Sequence, residues 1–435
     1  MTYQETIDYL YARLPLFSHT GAAAYKTDLT NTNILCKSLG DPQNKIKTIH
    51  VAGTNGKGST SHMLAAIFQE SGLKTGLYTS PHLKDFRERI RIDGEMISEQ
   101  FIINFVEGIK NITEEISPSF FEVTVAMAFD YFAQEKVDIA IIETGLGGRL
   151  DSTNIINPEL SIITNIGYDH MNILGYSLEE IASEKAGIIK KNTSVIIGET
   201  LPETKDIFLK KAADSNALII FAEEEYTIND VDFKDNYLEI VLQQRNEIKE
   251  EVYRTDLTGL YQQKNIRTVI TAIKHLIELG YDLKQENINN ALLKVKELTG
   301  LHGRWEIVSN DPLIVLDVAH NEDGIRLLTE QLKMYSYNNL HIVFGIVKDK
   351  EADKILSLLP KTCQYYFTNA NIPRALPSPE LKLKAEKYKL SGNAYHDVYS
   401  AFNAAINQAS KDDMIIVCGS VFVVAEIDLE TIPVN

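Results

Sequence analysis

The stretch Lys47-Thr48-Ile49-His50-Val51-Ala52-Gly53-Thr54-Asn55-Gly56-Lys57-Gly58-Ser59 decides the fold. Its first half reads as a short buried strand, and Lys57 to Ser71 places Met63, Ala66, Ile67 and Glu70 at helical spacing. A glycine-rich turn between a strand and a helix is the setting of a phosphate loop. Glycines let backbone N–H groups converge on phosphate oxygens, the helix N-terminus adds positive potential, and Lys57 neutralises charge. Gly53, Thr54, Asn55, Gly56, Lys57, Gly58 and Ser59 are therefore the candidate nucleotide-binding residues. The loop departs from the strict GxxxxGK[ST] pattern, because Gly58 follows the lysine and the hydroxyl comes one place later, at Ser59. A turn that only reverses the chain would account for the glycines, but not for Lys57 beside them.

Outward from this loop, strand runs and amphipathic helices alternate. Thr75 to Ser80, Asp138 to Glu143 and Leu160 to Ile166 read as strands, the last two nearly continuous apolar runs; Ser98 to Ile116 and Phe121 to Glu135 read as helices. Such order predicts an α/β protein with a mainly parallel sheet of P-loop ATPase type. Residues 217–257 shift to Val/Ile/Tyr alternation with acidic turns, which predicts a small antiparallel patch, and a helix-rich stretch follows from Tyr261 to Glu297. A second α/β alternation starts near Gly300, with strands at Leu313 to Val318, His341 to Ile346, Gln364 to Thr368 and Met414 to Cys418. The expectation is an ATP-binding domain over residues 1–299 and a smaller, Rossmann-like α/β domain over residues 300–435, with a ligand cleft between them that closes on substrates.

The chain has 435 residues, 44% of them hydrophobic and 24% charged, with a formal net charge of −17. That charge excludes a general nucleic-acid binder and a protein that docks on anionic membranes. No secretory signal and no membrane span is readable, and the three cysteines, Cys36, Cys363 and Cys418, show no CxxC spacing. The expected setting is the cytoplasm, with reduced thiols. A monomer is expected, since no exposed apolar stripe is visible.

Further segments occur in a characteristic order: Thr79-Ser80-Pro81-His82-Leu83, Glu143-Thr144-Gly145-Leu146-Gly147-Gly148-Arg149-Leu150-Asp151, Asp169-His170, Glu184-Lys185-Ala186-Gly187-Ile188, Gly303-Arg304-Trp305, Leu316-Asp317-Val318-Ala319-His320-Asn321 and Pro373-Arg374-Ala375-Leu376-Pro377. With the Gly-Thr-Asn-Gly-Lys-Gly-Ser loop, this set resembles the folate branch of the Mur ligase superfamily, the folylpolyglutamate and dihydrofolate synthases, across nearly the whole chain. The resemblance implies an ATP-dependent amide ligase of folate biosynthesis and one-carbon metabolism. It would add L-glutamate to dihydropteroate, to a reduced folate, or to both, through an acyl phosphate.

The same resemblance implies ATP and Mg2+ as cofactors, with two magnesium sites. Ser80, Glu143 and His170 match magnesium ligands, and Lys185 matches a lysine that is carbamylated and helps hold the second ion. Lys57, His170 and Lys185 are thus the candidate catalytic residues, while Asn265, Arg304, Asp317 and His320 match positions that contact ATP. Read without the resemblance, Glu143 is already a functional candidate, because a carboxylate closing a buried strand is costly unless paired. By the same reading Ser80 is a turn residue before Pro81, Asp169-His170 is either a site or a hydrogen-bonded loop pair, Lys185 is a solvated helix lysine, and Asn321 caps a helix.

For the pterin the candidates are Phe120, Phe121 and Glu122 with Leu150, Asp151 and Ser152. An aromatic ring can stack on a heterocycle and a carboxylate can bond its aminopyrimidine edge. Core packing for Phe121 and a first-turn role for Glu122 are the competing readings. Arg87, Arg89 and Arg91 alternate on what reads as an extended segment, either drawing a glutamate tail or forming a solvated edge. Two other functions compete: a P-loop regulatory ATPase, which leaves the second domain without a task, and another Mur-type amino-acid ligase, which needs a further substrate domain.

Overall fold

The computed structural model describes residues 1–16, 21 and 28–428. It divides into two compact units. The first comprises Met1–Gly167, Met171–Asp256 and Gln262–Leu301; the second comprises Tyr168–His170, Leu257–Tyr261 and His302–Asn435.

In the first unit eight strands form one sheet: β1 (Thr48–Ala52), β2 (Thr75–Tyr78), β3 (Ile90–Ile92), β4 (Glu95–Met96), β5 (Ile139–Glu143), β6 (Leu160–Ile163), β7 (Ser194–Ile197) and β8 (Ile219–Phe221). Their order is β4-β3-β2-β5-β1-β6-β7-β8. The six strands from β2 to β8 run parallel, and only β3 and β4 turn back as an antiparallel edge. Strand β1 is central and every residue in it is buried, as expected of a parallel sheet with both faces covered. Tyr78, Ala140 and Ile142 pack with helix residues such as Val125, Phe129 and Phe132 in one core, whereas Ala52, Ile163, Val195 and Ile197 pack with Ile181, Ala182 and Phe208 in another. Each core belongs to a different stretch of the sheet.

A three-stranded antiparallel sheet follows, β9 (Tyr226–Lys234), β10 (Tyr237–Gln244) and β11 (Glu250–Thr255), in the order β11-β10-β9. The antiparallel patch starts later than the residue pattern suggests, because Ile219–Phe221 pairs parallel to β7 and extends the main sheet. The helix-rich stretch resolves into helices Gln262–Glu278, Gln285–Leu292 and Val295–Thr299.

The second unit carries a six-stranded sheet: β12 (Glu306–Asn310), β13 (Leu313–Leu316), β14 (Leu340–Phe344), β15 (Gln364–Phe367), β16 (Gly392–Ala394) and β17 (Met414–Cys418). Its order is β12-β13-β17-β14-β15-β16, parallel except for β12. Trp305, fully buried, anchors this core with Phe344 and Phe367, and its indole N–H donates to the Tyr335 hydroxyl at 3.0 Å. No helix among the described residues is long and apolar enough to cross a membrane. All three cysteines are free thiols, and burial pushes Cys36 up to about 12.

One local expectation fails. Arg87 and Arg89 do not alternate along a strand, because Phe86–Arg89 is a 3-10 turn and only Ile90–Ile92 is extended. Asp85 caps that turn and the Glu88 carboxylate returns to the Asp85 N–H, a reciprocal cap that favours helical backbone over extended chain. The three arginines therefore meet different surroundings. Arg87 pairs with Asp85 at 2.7 Å and Glu99 at 3.4 Å, Arg91 donates to the Gly94 carbonyl at 2.8 Å, and Arg89 is buried.

Candidate active site

The phosphate loop runs from the end of β1 into the helix Lys57–Glu70, whose N-cap is Gly56. Gly56 has φ +81, a conformation that an L side chain adopts at a cost, and a Cβ there would strike the Asn265 amide. A Cβ on Gly53 would likewise run into the Thr164 side chain. The loop is held from the next strand: Asn165 accepts the Thr54 N–H through its carbonyl at 3.0 Å and the Asn55 N–H through Oδ1 at 2.8 Å, while the Thr164 hydroxyl donates to the Asn55 carbonyl at 2.6 Å. Lys57 Nζ folds back and donates to the carbonyls of Gly53 and Thr54, each at 3.1 Å. From the helix Gln262–Glu278, Gln262 Nε2 donates to the Ser59 hydroxyl at 3.1 Å, and the Asn265 amide donates to Gln262 Oε1 at 2.7 Å.

Two charged side chains flank this loop. Glu143 closes β5 opposite Val51 of β1, is 4% exposed, and accepts the Ser80 N–H at 3.2 Å. Lys185 ends the helix Leu178–Lys185, is 3% exposed, and donates from Nζ to the Gly53 carbonyl at 2.8 Å. It is therefore not a solvated helix lysine. Burying an ammonium is costly unless it serves a purpose, and here it is docked on the phosphate loop. Glu143, Ser80 and Lys185 belong to the first unit and His170 to the second.

Among the described residues, no three His, Cys, Asp or Glu side chains gather as a metal cluster. One buried carboxylate beside a serine and a phosphate loop nevertheless suits Mg2+, which takes few protein ligands and completes its shell with phosphate oxygens and water.

The pterin candidates are spread over several roles. Phe120 is 2% exposed, stacked on Tyr11 at 5.5 Å between ring centroids and met edge-on by Phe86 at 5.8 Å, so it is core and not a stacking face. Glu122 is 2% exposed and its carboxylate is engaged in a capping box with Ser119, accepting that residue's N–H at 2.6 Å. The first-turn reading is thus the observed one. Phe121 is only partly buried, and its ring lies where a Cβ on Gly145 would fall. Asp151 is buried, caps the turn Ser152–Ile155, and accepts the Leu146 N–H at 2.8 Å, which closes the loop after Glu143. Burial raises its carboxyl pKa, opposed by hydrogen bonds from Thr153 and Leu146. Leu150 is partly buried and Ser152 is buried.

In the second unit Asp169 is a hub. It accepts from His320 Nε2 at 3.2 Å and from the Asn321 amide at 3.3 Å, and it pairs with Lys350. Burial alone would raise its carboxyl, but Lys350, His170 and His320 hold it well below the usual carboxylate range. His170 follows in a left-handed conformation, φ +50, with its N–H on Asp169 Oδ1 at 2.8 Å; burial pushes its imidazole down to about 3 against the pull of Asp169. Asp317 follows β13 and accepts from the Tyr261 hydroxyl at 2.9 Å, the Trp305 N–H at 2.9 Å and the Ala319 N–H at 2.8 Å. Burial raises its pKa. Arg304 is partly buried beside the Gly303 carbonyl, 3.3 Å from Nη1, and Asn321 caps the helix Glu322–Leu332 as its position suggests.

Sequence reasoning misses Thr164, Asn165, Gln262 and Lys350. Thr164-Asn165 directly after an apolar strand is the one signal in reach; Lys350 carries none, because its partner is far away in the chain.

Two family models match. Residues 51–273 match the Mur ligase middle domain and residues 303–421 the Mur ligase glutamate ligase domain. The chain is 32% identical to a dihydrofolate synthase/folylpolyglutamate synthase of Bacillus subtilis, over 98% of both chains. It is 31% identical to a folylpolyglutamate synthase of Lacticaseibacillus casei, again over 98% of both. Among solved structures it is similar to Mycobacterium tuberculosis folylpolyglutamate synthase complexed with ADP, with TM-score 0.86, 29% identity and coverage of 97% of this chain and 96% of that one. It is also similar to E. coli FolC in complex with DHPP and ADP, with TM-score 0.84, 29% identity and coverage of 98% and 96%.

Proposed function

Because the chain belongs to the Mur ligase family, within its folylpolyglutamate synthase/dihydrofolate synthase group, we propose that it uses ATP to join L-glutamate to dihydropteroate, to a reduced folyl-glutamate, or to both. The observation that carries this reading is the convergence on one loop of Lys57, buried Lys185 and, one strand over, buried Glu143. An anionic carboxylate must approach a triphosphate in this reaction, so cations and directed N–H groups have to offset the repulsion.

A carboxylate oxygen of the acceptor attacks the γ-phosphorus, the bond to the β-phosphate oxygen breaks, and ADP leaves. The glutamate amine then attacks the acyl carbon of the acyl phosphate. The tetrahedral intermediate collapses as the C–O bond to phosphate breaks with its electron pair, and the amine gives up a proton. The backbone N–H groups from Gly56 to Ser59, at the N-terminus of the helix Lys57–Glu70, cradle the phosphates. Lys57 leaves its two carbonyls to meet the γ-phosphate.

Ser80, Glu143 and His170 would hold Mg2+, with Lys185, carbamylated, serving a second ion. The metal supplies charge neutralisation of the phosphates when bound. A carbamate nitrogen keeps one N–H, so the bond from Lys185 to the Gly53 carbonyl suits the modified side chain as well as the free amine. Asn265, Arg304, Asp317 and His320 are assigned to the nucleotide. Asp317 has three donors already, which leaves one acceptor direction for a ribose hydroxyl. Phe121 and the loop closed by Asp151 are assigned to the pterin.

The test is ADP release with ATP, Mg2+ and L-glutamate, comparing dihydropteroate with tetrahydrofolate. Turnover with either supports the ligase reading, and the pattern names the acceptor. Silence with both, in protein that binds ATP, overturns the folate assignment.

A further inference from the structure

Arg89 is 7% exposed, and no carboxylate pairs with it among the described residues. The nearest acid in sequence, Glu88, has both oxygens occupied by the N–H groups of Leu83, Lys84 and Asp85, and it attracts the guanidinium only through space, without a direct ion pair. Instead the guanidinium lies over the Phe120 ring, 5.3 Å from its centroid, and donates from Nε to His82 Nδ1 at 2.7 Å. An arginine has no lone pair to offer, so His82 accepts at Nδ1 and carries its proton on Nε2, directed at the Tyr11 hydroxyl 3.4 Å away. With Nδ1 taken up as an acceptor the imidazole carries a single proton, so this partner is neutral and cancels none of the charge.

A buried cation without a counter-ion is expensive, and folding alone gives no reason to keep one. The price is recovered when an anion arrives, and a guanidinium fork fits a carboxylate better than any other side chain does. The surroundings say which ligand that anion belongs to. Arg89 lies near enough to Tyr78 to feel its hydroxyl electrostatically, the Tyr78 ring lies 6.2 Å from that of Phe121, and Phe121 packs on Gly145 in the loop that follows Glu143. On its other side, His82 stands two residues beyond Ser80, whose N–H meets Glu143. The guanidinium thus sits beside the acceptor end of the site.

We propose that Arg89 reads a second, non-reacting carboxylate on the acceptor: the α-carboxylate that a folyl-glutamate carries and dihydropteroate lacks. Arg89 is then a specificity determinant that favours chain extension over the first glutamate addition. This inference rests on the ligase reading above.

The experiment compares kcat/KM for dihydropteroate, for tetrahydrofolyl-glutamate, and for its analogue with an α-carboxamide, in the unaltered protein and in Arg89→Met and Arg89→Lys. The unaltered protein should prefer acid to amide by roughly 10- to 100-fold, as a lost charged pair at a recognition site does. Arg89→Met should erase that preference and lose the same factor more with folyl-glutamate than with dihydropteroate. Arg89→Lys, which keeps charge without the fork, should fall between. Equal use of acid and amide by the unaltered protein overturns the proposal, as do equal losses with both acceptors in Arg89→Met or turnover with dihydropteroate alone. If Arg89→Met does not fold, the acid and amide comparison in the unaltered protein still decides. Silence of the unaltered protein with every acceptor sinks the ligase reading, and this proposal with it.

Discussion

Lys185 Nζ donates to the carbonyl oxygen of Gly53 at 2.8 Å, which ties the end of the helix Leu178–Lys185 to the first glycine of the phosphate loop. The bond also fixes where the positive charge, or the carbamate built on that nitrogen, must stand. Lys185→Met keeps the length and apolar stem while removing both. We expect its ligation rate to fall by roughly 100-fold or more, the scale of losing a preorganised charged group. Unaltered kcat in a folded Lys185→Met protein would count against any role for this amine in the chemistry.

Lys57 makes a different case, because the two groups its ammonium bonds are loop carbonyls that it can release. Lys57→Ala should keep the fold, judged by an unchanged melting temperature within a few degrees, and lose nucleotide-dependent ligation. Normal turnover in the folded variant would remove the loop from the mechanism.

The difference between these two lysines marks how far the sequence can be read. Lys57 sits among glycines between a strand and a helix, so local pattern alone announces it. Lys185 lies on an amphipathic helix beside Glu184, where local pattern favours solvent. Its burial follows from packing of that helix on a loop 132 residues earlier in the chain, which no periodicity reports. Glu143 is legible because a charge that ends an apolar strand is too costly to bury idle. The arginine run misleads for the opposite reason. Side-chain alternation suggests a strand, while the reciprocal cap between Asp85 and Glu88, visible at the right spacing, sets a helical turn instead. Phe120 and Glu122 suit a ligand by residue type alone, yet their positions commit them to an aromatic cluster and a helix cap.

Gly56 tests the geometry of the loop rather than its charge. Its φ of +81 and the crowding of a Cβ against Asn265 make Gly56→Ala costly in two ways. We expect a loss of about 1–3 kcal/mol, typical of strain at a special backbone position. Asn265→Gly should relieve the crowding but leave the backbone strain, so the double variant should recover only part of the loss in urea unfolding. Full recovery would mean that the positive φ costs nothing here.

The acid limb of stability has an identifiable contributor in His50. Its ring is fully buried in β1, bonded from Nε2 to the Thr153 hydroxyl at 2.8 Å, and that hydroxyl donates to Asp151 at 2.5 Å. Burial pushes the imidazole down to about 3, with Lys190 adding to the effect. The folded-state pKa is therefore depressed below the unfolded value near 6.5, so the unfolded chain takes up a proton first as the pH falls. The contribution of His50 is fully present above that unfolded value and drains away between it and the folded one, at up to about 1.4 kcal/mol per pH unit. His50→Gln, which can still hydrogen-bond Thr153 but does not titrate, should flatten the fall in urea-unfolding stability from pH 6.5 to pH 4 relative to the parent protein. Parallel curves for the two proteins over that window would show that His50 is not held neutral by the fold.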